Sequence, residues 1–133
     1  MQGPDSAYAL GEEVARRMYA PVMRSHQVTV EQMAIMEPAL SETVGATCIT
    51  IIREAMDEAI RRGVPAQAAQ DFIEGHLRIE IAILFGHLPG AQFSDGAKNA
   101  IERAKTSLFR PDWKKVFEPA ALTESIHAIT RPS

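Results

Sequence analysis

The stretch of sequence that decides the fold is ALSETVGATCITII, residues 39–52. Nearly every position in it is small or apolar, and a helix that is apolar all round is buried on all sides. The helix containing it begins at a capping box, because Thr29 is followed three residues later by Gln32. It ends before Gly63, a residue suited to a helix C-terminus. We therefore predict one helix of about 33 residues, roughly 50 Å long.

Pro38 interrupts this predicted helix near its start. A proline in a helix interior removes one backbone hydrogen bond and clashes with the preceding turn. We therefore expect the helix to be kinked at Pro38. Further along, Gly45, Ala46 and Thr47 are small enough to let another backbone approach closely.

Helical patterns also account for most of the remaining chain, and no run of residues alternates as a strand would. Residues 1–5 are interpreted as a linker remnant and residues 6–133 as a single helical domain. The fold class is all-α, with a long kinked central helix and shorter helices packed around it. The shorter elements are a helix from Ala7 to Val22 capped by Ser6, a helix from Pro65 to Phe85, a helix capped by Ser94 or Asp95 that ends near Leu108, a short turn from Pro111 through Phe117, and a final helix opened by Pro119.

Composition narrows the possible classes of protein. The chain has 17 acidic and 14 basic side chains and a net charge of -3, so a nucleic-acid partner is not expected. Cys48 is the single cysteine, which indicates a reducing, cytoplasmic location. No apolar run approaches the roughly 18 residues of a membrane span, and residues 1–8 lack the pattern of a signal peptide, so no membrane partner is expected.

The sequence has neither a G-x-G-x-x-G motif nor a G-x-x-x-x-G-K-[ST] motif, so no cofactor-binding residue is predicted in this chain. The central helix and the helix from Pro65 to Phe85 are both nearly all apolar. A chain of 133 residues has too few other residues to cover both helices. Large apolar surfaces on a protein usually mark interfaces, so we expect a partner: a second copy, another domain, or both.

The chain resembles a known family in five blocks of sequence. The block EAMDEAIRRGVP, residues 54–65, is similar to the end of the long helix in the all-helical C-terminal domain of the 6-phosphogluconate and 3-hydroxyacid dehydrogenases. The other four resemble a subfamily of phosphogluconate dehydrogenase C-terminal domains to which D-apionate oxidoisomerases belong. They are YAPVMRSHQVTVEQMAIMEPALSETVGATC at 19–48, FIEGHLRIEIAILFG at 72–86, PGAQFSDGAKNAIERAK at 89–105 and RPDWKKVFEP at 110–119.

This resemblance implies half of a larger enzyme. Family members carry an N-terminal Rossmann domain that binds NAD or NADP, and a helical C-terminal domain that forms the homodimer and part of the substrate site. The implied parent is an oxidoreductase acting on a hydroxy acid or sugar acid, and this chain alone is expected to be inactive. The alternative is a stand-alone helical dimer that binds another protein without catalysis.

The resemblance also locates the candidate catalytic residues. In the wider family a lysine and, one turn later, an asparagine on the long helix do acid/base work on the hydroxyl. Those positions correspond to Pro38 and Glu42, so the family's chemistry cannot be carried across unchanged. Glu42 is the positional replacement, since a carboxylate buried beside Leu40 and Val44 can serve as a general base. The alternative is a structural Glu42, paired with an arginine or hydrated beside the proline.

His76 is the second candidate catalytic residue, because histidine carries protons near neutral pH. Its alternative is a structural histidine bonded to Glu80 or to a backbone carbonyl. His76 and Glu80, four residues apart, are too few ligands for a metal site, and no metal is predicted.

Three further residues are candidates for binding a small acid substrate. Glu37 lies one helical turn before Glu42, and Ser41 could bond either a substrate hydroxyl or the Glu37 carbonyl. Lys114, in a basic and aromatic segment with Trp113, could close over an acidic group. Its alternative is a solvated face.

Overall fold

The computed structural model describes residues 3–130, and these residues form helices and loops with no strand. The all-α fold class predicted from the sequence is therefore confirmed. The helices are α1 Asp5–Met18, α2 Val30–Ala34, a π-helix Ile35–Ala46, α3 Thr47–Arg61, α4 Ala66–Leu84, α5 Asp95–Leu108, a 3₁₀ helix Trp113–Phe117 and α6 Pro119–Thr130.

The long helix is present and runs without a break over Val30–Arg61. Both bonds of its predicted capping box form. The Gln32 backbone N–H donates to Thr29 Oγ1 at 3.1 Å, and the Thr29 N–H donates to Gln32 Oε1 at 2.8 Å. At the other end Gly63 adopts a φ of 102°, which is a conformation that favours glycine and stops the helix.

Pro38 changes the helix in a way that the sequence pattern did not specify. A kink was expected; the structure contains a π-helix of 12 residues with Pro38 inside it. A π-helix bonds each N–H to the carbonyl five residues back instead of four. The wider turn is one way to relieve the clash of the proline ring with the carbonyl four residues before it.

Two helix starts differ from the prediction. Ser6 does not cap the first helix, which begins at Asp5 with Pro4 as its N-cap and has no side-chain capping bond. Its last residue is Met18, four short of the predicted end at Val22. Pro65 occupies the N-cap of α4 instead of its first turn. For α5, Ser94 is the cap, because its Oγ accepts the N–H of Ala97.

Burial within the chain is sparse. Among the described residues, the buried hydrophobic side chains are Ala39, 1% exposed, and Ala69, 8% exposed. Leu40 and Ile49 are 54% and 57% exposed, although both lie in the stretch expected to be buried on all sides. Within residues 3–130 no element covers these faces, so their burial needs a partner, and that partner stays a prediction.

By their internal contacts, the residues group into two units. One unit contains the chain up to Gly45 together with the segment that resumes at Val116, and the other runs from Ala46 to Lys115. The second unit includes the packing of α3 on α4.

The helix Val30–Arg61 is long and apolar enough to cross a membrane, judged by length and a mean hydropathy of 1.2. The sequence has no uninterrupted apolar run of that length, and this helix qualifies on its average hydropathy, so the expectation of no membrane partner stays a prediction. Core helices and helices covered by another protein surface pass the same criterion, so hydropathy does not identify the partner of this helix.

Candidate functional site

Glu37, Ser41 and Glu42, the three candidates on the long helix, lie together on the π-helix. All three side chains are exposed. The Glu42 carboxylate makes no hydrogen bond or ion pair with any residue from 3 to 130, and in this chain it is not buried as the sequence had suggested. It is therefore open to a ligand, and no arginine among the described residues neutralises it.

The π geometry decides which of these side chains share a face. Thr43 Oγ1 donates to the Pro38 carbonyl oxygen at 2.6 Å, across five residues. In the α-helical part of the same helix, Thr50 Oγ1 donates to the Ala46 oxygen at 2.9 Å, across four residues. Residues five apart thus lie one turn apart in the π-helix. Glu37 and Glu42 are five apart, so they follow each other along one side of it.

Glu37 lines a groove of about 290 Å³ in the unit that contains α2 and α6. It is the one charged residue among those lining the groove. A carboxylate beside apolar walls suits a ligand with hydroxyls on one side and carbon on the other. The lining residues are Val28, Thr29, Val30, Met33, Ala34, Glu37, Pro38 and Ile126.

Ser41 keeps its hydroxyl available. Of the two roles considered for it, the bond back to the Glu37 carbonyl is not formed among the described residues. Back-bonding in this segment is made by Thr43, to Pro38. Sequence reasoning missed Thr43; the signal was a threonine five residues after a helix-interior proline.

His76 lies on α4, in the other unit, and is held by Phe72. Its ring stacks on the Phe72 ring with centroids 4.0 Å apart, and its Nδ1 is 2.8 Å from the Phe72 carbonyl oxygen. A carbonyl can only accept, so Nδ1 donates, and in the neutral ring Nε2 carries the free lone pair. Of the structural alternatives, the carbonyl partner is the one present, and Glu80 is not bonded to the ring.

The exposed face of His76 lines a shallow pocket of about 370 Å³ with Asp71, Phe72, Gly75 and Ile79. Phe72 itself is 67% exposed, and its role as a stacking partner was not foreseen. An aromatic residue four positions before a helical histidine was the available signal. Among the described residues, no group of three or more His, Cys, Asp or Glu is placed to hold a metal ion.

Lys114 lies on the 3₁₀ helix, with its ammonium 5.9 Å from the centroid of the Trp113 ring. The neighbouring Lys115 is 3.2 Å from Asp112, and the hydrogen bond from that ammonium lowers the pKa of the Asp112 carboxyl. Because Lys115 is already paired with a carboxylate, Lys114 is the better placed of the two lysines to meet an acidic ligand.

The described residues do not fit a nicotinamide dinucleotide on their own. A dinucleotide-binding fold of the Rossmann type holds such a cofactor with a strand, a glycine turn and a helix N-terminus. Residues 3–130 supply no strand, and the sequence supplies no glycine motif.

The fold and the candidate site define a class of protein: an all-helical domain with a long helix and candidate acid/base groups, whose residues 3–130 include no strand. Residues 1–130 match the family described as phosphogluconate dehydrogenase (decarboxylating) C-terminal domain, and the chain belongs to that family.

Curated relatives and a solved structure agree with this family. The chain is 55% identical over 130 residues to D-apionate oxidoisomerase from Rhizobium rhizogenes and 54% identical over 130 residues to D-apionate oxidoisomerase from Cupriavidus necator. Each match covers 98% of this chain and 47% of the relative. The structure of this chain also matches the crystal structure of a semialdehyde dehydrogenase NAD-binding protein from Cupriavidus necator, solved with calcium and NAD. That match has 54% identity and a TM-score of 0.92, and it covers 98% of this chain and 47% of the other. The chain thus spans about half the length of these proteins.

Proposed function

We propose that this chain is the substrate and dimerisation domain of an NAD(P)-dependent oxidoreductase that acts on a hydroxy acid or a sugar acid such as D-apionate. The cofactor is held by an N-terminal Rossmann domain. The proposal is supported by relatives named D-apionate oxidoisomerase at 54–55% identity and by a structural neighbour solved with NAD. Both match this chain over about half of their own length. In this proposal the chain forms a single helical domain, and the protein is cytoplasmic.

Glu42 is the proposed general base, and it takes the proton from the substrate hydroxyl. The observation that carries this role is that its carboxylate is exposed, unpaired within residues 3–130 and aligned with Glu37. In this proposal Glu37 and Ser41 bond the remaining hydroxyls of the substrate. Two carboxylates repel a third, so the acid group of the substrate points away from the glutamates.

In the other unit, Lys114 is proposed to contact an acidic ligand, since a lysine ammonium supplies three donors and a positive charge. His76 is the second candidate for the base. Its Nδ1 is committed to the Phe72 carbonyl, which leaves Nε2 as the acceptor. Substitution of Glu42 and of His76 distinguishes the two candidates for the base. Only the substitution that removes the base changes the pH dependence of the reaction.

Homodimerisation is proposed from the apolar side chains that the chain leaves exposed. Ile49 of α3 and Phe72, Ile79 and Leu84 of α4 are each more than half exposed. Removing even 1,000 Å² of apolar surface from water contributes roughly 25 kcal/mol before the costs of association.

A protein-binding module without catalysis is the competing proposal. It is favoured by the groove of about 500 Å³ between α3 and α4, whose lining residues are all apolar. Apolar grooves of this kind accept an amphipathic helix.

The test is a screen of sugar acids and hydroxy acids with NAD⁺ and NADP⁺ on the protein joined to its Rossmann domain, followed by formation of the reduced cofactor. We expect turnover of a branched sugar acid. Failure of every acid, combined with stable capture of a helical peptide in the α3–α4 groove, would replace the enzyme proposal with the binding module.

A further inference from the structure

We propose that Thr43 is a positioning residue for this site. By donating to the Pro38 carbonyl, its hydroxyl holds the π register that places Glu37 and Glu42 on one side of the long helix. The register is a property of this chain and is tested without any assay of activity. Its importance for the reaction rests on the proposed function of Glu42.

Pro38 creates the need for such a register. It has no N–H, so the carbonyl four residues earlier, on Ala34, loses its usual donor, and the proline ring crowds that carbonyl. The structure begins its π-helix at Ile35 and ends it at Ala46. Pro38 is buried and Ala39 is 1% exposed, so the π-helix contains the most buried residues of the long helix.

Thr43 stabilises the wide turn through a bond that only this register permits. In the π-helix, the backbone N–H directed at the Pro38 carbonyl belongs to Thr43, whereas in an α-helix it would belong to Glu42. The Thr43 hydroxyl adds a second donor to the same oxygen, at 2.6 Å and partly shielded from water. One residue thus supplies both donors that favour the π register over the α register.

The last turn of the π-helix is also built for close backbone approach. A Cβ on Gly45 would lie 3.3 Å from the Leu40 carbonyl oxygen, which again is five residues back. A larger side chain at this position would press on the backbone of the π turn.

The register matters for the site because of the angle between the two glutamates. In an α-helix, residues five apart point about 140° from each other, since each residue advances by about 100°. In a π-helix the same two residues are one hydrogen-bonded turn apart. A change to the α register would therefore move one carboxylate away from the side occupied by the other, and a ligand held by both would lose one of them.

The first experiment measures the register with a metal probe. Glu37→His together with Glu42→His creates an imidazole pair that can chelate Ni²⁺ only if residues five apart are aligned. Glu37→His together with Ser41→His, four apart, can chelate in either register. We expect Thr43→Val to weaken Ni²⁺ binding to the first pair by about fivefold, the size of one intramolecular hydrogen bond, and to leave the second pair unchanged. Equal effects on both pairs, or none on the first, would overturn the proposed register role. Circular dichroism confirms that each variant is folded.

The second experiment connects the register to turnover in the protein joined to its Rossmann domain. Thr43→Val should lower kcat, and Thr43→Ser, which keeps the hydroxyl, should restore it. Thr50→Val removes the corresponding bond in the α-helical segment and should leave kcat unchanged. A loss of Ni²⁺ chelation with no loss of kcat would uphold the register and remove Glu42 from catalysis. A loss of kcat that Thr43→Ser does not restore would overturn the hydroxyl as the positioning group.

Discussion

Thr43 Oγ1 lies 2.6 Å from the carbonyl oxygen of Pro38, five residues earlier in the chain. Further along the same helix, Thr50 Oγ1 reaches back only four residues, to Ala46. One continuous helix therefore contains two hydrogen-bond registers, and they meet at the boundary between Ala46 and Thr47. The candidate carboxylates Glu37 and Glu42 both lie in the wider of the two.

Two glycines in helices provide a matched test of how tightly the π turn is packed. Gly75→Ala on α4 should raise the free energy of unfolding by about 0.8 kcal/mol, because alanine favours helices and a Cβ there would contact nothing within 4 Å. Gly45→Ala should gain less or be destabilising, since its Cβ would lie 3.3 Å from a backbone oxygen. Urea unfolding of both variants at one protein concentration measures the difference. Equal gains would show that the π turn has room for a side chain.

Hydrogen bonds from Ser25 and Arg16 to Glu12 connect α1 to the segment that follows it, and they should depend on the ionisation of Glu12. Ser25 Oγ donates to Glu12 Oε1 at 2.7 Å, and Arg16 contacts the same oxygen at 2.8 Å. The Ser25 hydrogen bond first, and then Arg16, lower the pKa of the Glu12 carboxyl below its usual 4.5. Because the folded pKa is lowered, the stabilisation is complete above pH 4.5 and is lost as the pH falls through the folded value.

Ser25→Ala should therefore raise the pKa of Glu12 towards its usual value while Arg16 keeps it partly lowered. Carboxyl chemical shifts followed across the acid range measure this directly. Glu58, whose pKa is lowered by Arg61 and Arg62, serves as the internal control and should not move. An unchanged Glu12 titration in the variant would show that the serine bond does not form in solution.

The elements whose signals lie within a few residues were predictable from the sequence. The capping box at Thr29 and Gln32, the terminal Gly63 and the Ser94 cap all formed as expected, because each depends on bonds between near neighbours in the chain. Ser6 was one exception. Pro4 caps the helix two residues earlier than predicted, so the serine lies inside the first turn instead of at the cap.

Two features were not predicted from the sequence: the helix geometry at Pro38 and the exposure of Glu42. A helix-interior proline can be accommodated by a kink or by a π turn. At Pro38 the structure has a π-helix in which Ala39 is buried and Thr43 Oγ1 donates to the Pro38 carbonyl. The burial of Glu42 was inferred from apolar neighbours along its own helix. Burial needs a surface on the other side, and within residues 3–130 none covers Glu42.

If the chain forms a homodimer through the exposed face of α4, truncation of Phe72 should weaken its self-association. Phe72→Ala should weaken self-association at least tenfold, because the ring is 67% exposed in one copy and covering such a ring contributes roughly 1.5–3 kcal/mol. Arg78→Ala, on the polar side of α4, is the control and should leave the dimer intact. Sedimentation over a range of micromolar concentrations distinguishes them. A folded monomer of the unmodified chain would end the dimer proposal.

We predict that the 133-residue chain on its own does not bind NADH. The physical reason is that neither a glycine motif nor, within residues 3–130, a strand is available to cradle the pyrophosphate. Fluorescence titration should give no saturation in the micromolar range, whereas the protein joined to the proposed Rossmann domain should bind. Micromolar affinity of the isolated chain would contradict the proposal that a separate domain holds the cofactor.

Glu42→Gln, made in the protein joined to its Rossmann domain, tests the proposed base most directly. Glutamine keeps the size of glutamate and can still form hydrogen bonds, but it cannot take up a proton at neutral pH. If Glu42 is the base, kcat should fall by about 10²–10⁴ and the pH profile should lose its acidic limb. Stability should change little, because the carboxylate has no partner among the described residues and its loss strands no charge.

Glu54→Gln is the matched control for this variant. Glu54 is also exposed and also lacks a partner within the described residues, but it lies on α3 beyond the π-helix. It should leave both kcat and the melting temperature unchanged. If Glu42→Gln keeps a near-normal kcat, Glu42 is not the base. The role then passes to His76, where His76→Gln should abolish the acidic limb because it removes the Nε2 lone pair, the nitrogen that the Phe72 carbonyl leaves free.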